Sequence, residues 1–79
     1  MNKFIIETVG WYGVVAILLA YILISFNYTS SNSILYQTLN ATGAIGILID
    51  AWYAKNYQPA VLNFIWAAIA CIAIVNILF

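Results

Sequence analysis

The stretch ILYQTLNATGAIGILIDAWY, Ile34–Tyr53, decides the fold. It is long enough to cross a bilayer as a helix, yet it carries Gln37, Asn40, Thr42, Gly43, Gly46 and Asp50. Facing acyl chains, so many polar groups would each lack a hydrogen-bond partner. The stretch is therefore expected to be the central helix, covered by protein on both sides. Along it Tyr36, Asn40, Gly43, Ile47 and Asp50 recur at steps of four, three, four and three residues, which keeps them on one helical face.

Composition sets the surroundings of that helix. Of 79 residues, 67% are hydrophobic and 5% charged, and the mean hydropathy is +1.06. So little polar surface cannot cover a water-soluble core of this size, and the expected class is an all-α, polytopic membrane protein, a bundle of three transmembrane helices. The spans read as 9–26, 34–53 and 60–79, one domain over 1–79 with no internal repeat. The first run has Lys3 ahead of it in the manner of a signal peptide, but it lacks a small-residue cleavage site and holds Trp11, Tyr12 and Tyr21. It reads as a retained helix. Thr8 is its expected N-cap, and Trp11 and Tyr12 are expected at headgroup level.

Small residues punctuate the flanking spans. Gly10, Gly13, Ala20 and, less centrally, Ala16 share one side of the first, and the third holds Ala67, Ala68, Ala70 and Ala73. With Gly43 and Gly46 these are expected packing positions, because small residues let helix backbones approach closely where lipid supplies no hydrophobic drive. They are more than three helices need, so a homo-oligomer, a dimer first of all, is expected. Pro59 is expected to open the third helix, where its missing N–H costs nothing. Cys71, the single cysteine, sits in an apolar run and reads as a buried, unreactive thiol.

Charge is sparse and balanced, two lysines against two acidic residues. There is no basic stripe for nucleic acid, which is excluded as a partner. Lys3 and Lys55 fall on one side of the membrane, so the positive-inside rule places the N-terminus in the cytoplasm and the C-terminus outside. The lipid bilayer is the first partner implied.

Matching the spans by depth places polar residues in layers: Tyr21 with Asn40 and Ala73, Ser25 with Gln37 and Asn76, and Trp11 with Asp50 and Asn63. For Asn40 the plain interpretation is a hydrogen bond between helices, with Tyr21 as its partner, and the sharper one is a contact inside a substrate path. Asp50 lies near the cytoplasmic end of its helix, where an ion pair with Lys55 is expected; titration within the membrane, with a proton or cation carried, is the alternative. The sequence has no histidine, no metal-ligand set, no nucleophile with a base and no phosphate-binding glycine loop, so no enzyme, metal or cofactor is expected.

The set Gly10-Trp11-x-Gly13, Ala20-Tyr21, Asn40-x-x-Gly43 and Asn63-x-x-Trp66 resembles an uncharacterised family of bacterial membrane proteins of about this length with three spans. The resemblance implies the fold and an inner-membrane location, and brings no activity. At the level of architecture the chain is also similar to the half-size sugar transporters called SemiSWEETs, three-helix chains that pair around a polar pocket containing Asn and Trp, which Asn63 and Trp66 would supply here. It departs from them in lacking a Pro-Gln motif in the first span. Two functions follow as expectations. One is a homo-oligomeric half-size transporter for a small solute, its pocket lined by Tyr21, Asn40, Asn63 and Trp66. The other is a non-transporting accessory protein that docks a partner through small-residue helix faces.

Overall fold

The computed structural model describes residues 2–79 and consists of three helices, with no strand among the described residues. Helix α1 is Lys3–Ser25, α2 is Ile34–Tyr53 and α3 is Tyr57–Leu78. Both α1 and α3 pack on α2, and they do not touch each other. Helix α2 is the middle of the molecule.

Two of the helix starts differ from expectation, and for α1 the reason is capping chemistry that reaches further than hydrophobicity. Helix α1 begins six residues before the apolar run, because the Asn2 side chain accepts a hydrogen bond from the Ile5 N–H at 2.9 Å and so caps the first turn. Thr8 lies inside the helix instead, its hydroxyl donating to the Phe4 carbonyl at 2.8 Å. Helix α3 begins at Tyr57, which leaves Pro59 within the first turn, where an N–H has no intrahelical partner. Helix α2 starts at its Ser33 cap, which accepts from the Tyr36 N–H at 3.2 Å.

Both connections are closed by the same device. After α1, Asn27 takes φ 62°, its N–H bonds to the Ile24 carbonyl and the Tyr28 N–H bonds to that of Leu23. After α2, Lys55 takes φ 58°, its N–H bonds to Trp52 and the Asn56 N–H bonds to Ala51. These are Schellman endings, in which a left-handed residue turns the chain back and satisfies the last carbonyls of the helix. Asparagine tolerates that conformation; lysine pays for its Cβ there.

The core is made of small residues. Gly10, Gly13, Ala16 and Ala20 of α1 are buried against the Gly43, Gly46, Ile47 and Asp50 side of α2. Roughly a quarter turn further round α2, Ala44 and Ala51 face the buried Ala60, Ala67 and Ala70 of α3. The large apolar side chains point the other way: Trp11 is 70% exposed, Phe64 63% and Leu78 62%. No large side chain is fully buried among the described residues. A water-soluble domain has the opposite order, large apolar groups inside.

Helices α1 and α3 are long and apolar enough to cross a membrane, and only 22% and 17% of their most apolar windows are buried. Helix α2 has the length but is not among the helices apolar enough, since Gln37, Asn40 and Asp50 lower its hydropathy. Cys71, expected to be buried, is exposed on the outward face of α3. Ala60, Ala67 and Ala70 are the buried residues of α3.

Candidate polar crevice between the second and third helices

Asn40 is the buried polar residue of the described chain, 6% exposed. The residue that meets it is Trp66, whose indole Nε1–H donates to Asn40 Oδ1 at 3.4 Å. An indole nitrogen can only donate, so the amide must turn its oxygen to Trp66 and its nitrogen away. That nitrogen makes no hydrogen bond within the described chain, and no buried side-chain polar atom there lacks a partner. The Asn40 Nδ2 therefore retains a solvent-accessible edge.

Asn40 also borders a crevice. A cavity of about 290 Å³ is bounded by Ser31, Tyr36, Gln37, Asn40, Trp66 and Ala70. It adjoins a second of about 540 Å³, which shares Ser31 and Gln37 and adds Asn32 and Asn76. Together they lead from the Ser30–Ser33 loop down between α2 and α3 and end on Asn40. Gln37 forms the wall where they meet, its Nε2 donating to the Ser31 carbonyl at 2.8 Å, which leaves its Oε1 free to accept. Every side chain bounding the crevice is uncharged. Such a surface can orient a neutral solute by hydrogen bonds and aromatic contact.

Tyr21 does not reach Asn40: it is 67% exposed. Its neighbour Ala20 is the residue buried against α2, and one step along a helix is about 100° of rotation. Asn63 turns back on its own helix, its Nδ2 donating to the Pro59 carbonyl at 2.8 Å. The four-residue pocket of Tyr21, Asn40, Asn63 and Trp66 thus reduces to Asn40 and Trp66, with Gln37 beside them. Of the depth layers, Gln37 and Asn76 share the crevice, while Ser25 and Trp11 face outward. Tyr36 is the crevice residue that depth matching overlooked; its place on the Asn40 face of α2 was the available signal.

Asp50 lies against α1 and not beside Lys55. A methyl group at Gly10 would fall 2.5 Å from its Oδ2, so it is the glycine that admits the carboxylate. Among the described residues the ion pair is Lys3–Glu7, at 3.9 Å and exposed, worth little in water. Lys55 is carried away from Asp50 because its turn leads to α3, whereas Asp50 is on the α1 side of α2. Tyr12 reaches inward from the position expected at headgroup level. Thr42 donates its hydroxyl to the Thr38 carbonyl at 2.7 Å, so the 2.8 Å contact between Tyr12 Oη and Thr42 Oγ1 has the phenol as donor.

All four glycines, Gly10, Gly13, Gly43 and Gly46, are consumed by the α1–α2 contact. The small residues of α3 outside its contact with α2 are Ala68, exposed, and Ala73, half-buried. The site and the fold define an all-helical protein with an inverted, small-residue core and one uncharged polar crevice. The chain belongs to a family of small proteins whose model matches residues 6–79. No curated protein and no solved structure matches it.

Proposed function

We propose that the chain is an inner-membrane protein of three spans, N-terminus in the cytoplasm, and that two copies form a path for a small neutral solute along the Gln37–Asn40–Trp66 crevice. The outward-facing large side chains of α1 and α3 support membrane insertion. Helix α2 joins them as a span with polar groups that find hydrogen-bond partners: Asn40 with Trp66, Gln37 with Ser31 and Thr42 with Tyr12. The observation that carries the solute path is Asn40, buried as a residue, its Nδ2 unbonded within the described chain, bordering a crevice that begins at a polar loop. One chain leaves that crevice open along its side, and a second copy would close it.

The alternative is a non-transporting accessory protein that docks a partner through small-residue helix faces; with the four glycines engaged between α1 and α2, Ala68 and Ala73 of α3 are what it would use. The test uses Cys71→Ser protein reconstituted in liposomes, with a cysteine at Gln37 or at Ala70. A membrane-impermeant thiol reagent should label both from the loop side, and osmotic swelling in urea or glycerol should be lost in Asn40→Leu. Protection of both cysteines, or swelling that never exceeds that of empty liposomes across a panel of neutral solutes, overturns the path.

A further inference from the structure

On the side of the α2–α3 contact away from the crevice, toward the Lys55 turn, lies a groove of different chemistry. Its volume is about 420 Å³, in the range of small-molecule sites, and Leu48, Trp52, Tyr53, Tyr57, Val61 and Phe64 are among its walls. Trp52 and Tyr57 meet edge to face at its upper end, ring centroids 5.6 Å apart and planes at 71°. Amphipathic rings of this kind collect where hydrocarbon gives way to headgroups.

Lys55 stands in the turn between the two helices that border the groove, exposed, with no carboxylate within ion-pair distance among the described residues. The first turn of α3 starts beside it, and Asn56 makes no side-chain cap there. An apolar slot, an aromatic collar and a positive charge above it match one occupant: an amphiphile with a hydrocarbon tail and an anionic head. We infer that the groove holds one acyl chain of an anionic phospholipid, with its phosphate held by Lys55. The inference rests on the membrane placement proposed above and is independent of the solute path. It also fits the side assigned to Lys55, since the cytoplasmic leaflet is the anionic one.

The test is quenching of Trp52 by lipids brominated in the acyl chain, in a variant carrying Trp11→Phe and Trp66→Phe and reconstituted in bilayers. Brominated phosphatidylglycerol should compete for the groove about fivefold better than brominated phosphatidylcholine, the preference one lysine near the surface confers. Lys55→Gln should abolish the preference and Lys55→Arg should retain it. Equal quenching by the two lipids, or a preference that survives Lys55→Gln, overturns the anionic-lipid site while leaving the membrane placement intact. Absence of quenching by either lipid overturns both.

Discussion

Gly13 and Gly43 meet backbone to backbone at the centre of the α1–α2 contact. A methyl group on Gly13 would land on the Gly43 carbonyl oxygen and lie 2.9 Å from the Ile47 amide nitrogen. A methyl on Gly43 would meet softer neighbours, Ile17 Cγ1 at 3.0 Å and the Ala16 methyl at 3.1 Å, besides the Gly13 carbonyl at 3.0 Å. The two positions face each other but differ in what can yield. Gly13→Ala should therefore destabilise the fold by about 1–3 kcal/mol, the usual cost of overpacking, and Gly43→Ala by less. Unfolding by a denaturing detergent titrated into mild micelles, followed by helical circular dichroism, measures both. An order reversed between the two would show that α1 seats on α2 in another register.

Lys55 carries the opposite prediction. Its φ of 58° places a Cβ where glycine has none, and the hydrogen bonds of the Schellman turn belong to the backbone, so they survive substitution. Lys55→Gly should stabilise the protein in neutral detergent by about 0.5–1 kcal/mol. Asn27→Gly, at φ 62°, should gain less, because asparagine already tolerates this conformation. If the lysine variant is destabilised, its side chain holds the turn by a contact beyond those of the backbone.

The Tyr12–Thr42 bond gives a third outcome. Tyr12→Phe removes one donor and leaves Thr42 bonded to the Thr38 carbonyl, so it should cost about 0.5–1 kcal/mol by the same unfolding measurement. Thr42→Val removes the acceptor and should cost a similar amount. The double variant should cost no more than either alone plus a few tenths, because both remove one shared interaction. Fully additive losses would place the phenol on another partner.

The middle position of α2 was legible because no other stretch combines span length with so many groups that need partners. The small-residue face of α1 was legible too, since the steps between Gly10, Gly13, Ala16 and Ala20 fix their direction relative to one another on a rigid helix. Pairing between helices was not. Depth matching gives the height of a side chain and nothing about its azimuth, so Tyr21 and Asn40 were assigned to each other although Ala20, one residue away, is the one turned toward α2. Asp50 and Lys55 are close in sequence, but the turn separates the faces they serve. The lower hydropathy of α2 comes from Gln37, Asn40 and Asp50, of which Asn40 is buried.

Asn40 and Trp66 decide between a wet crevice and a dry one without knowledge of any solute. Trp66→Phe keeps an aromatic ring in place but removes the only donor to Asn40 Oδ1 in the described chain. Were the crevice dry, that oxygen would be stranded, at a cost of about 1–3 kcal/mol. With water in the crevice the oxygen finds a new donor, and the loss should stay near the 0.6 kcal/mol average of hydrogen bonds between membrane helices. Asn40→Leu should cost as little, since it removes the polar group together with its need for a partner. The coupling in the double-mutant cycle should then be about 0.6 kcal/mol, small for a pair in direct contact. The cycle is measured in micelles and repeated in bilayers, where water must enter through the loop end past Ser31 and Gln37. A cost above about 2 kcal/mol for Trp66→Phe in bilayers would mean that water does not reach Asn40, and a path for a polar solute through the same crevice would fall with it.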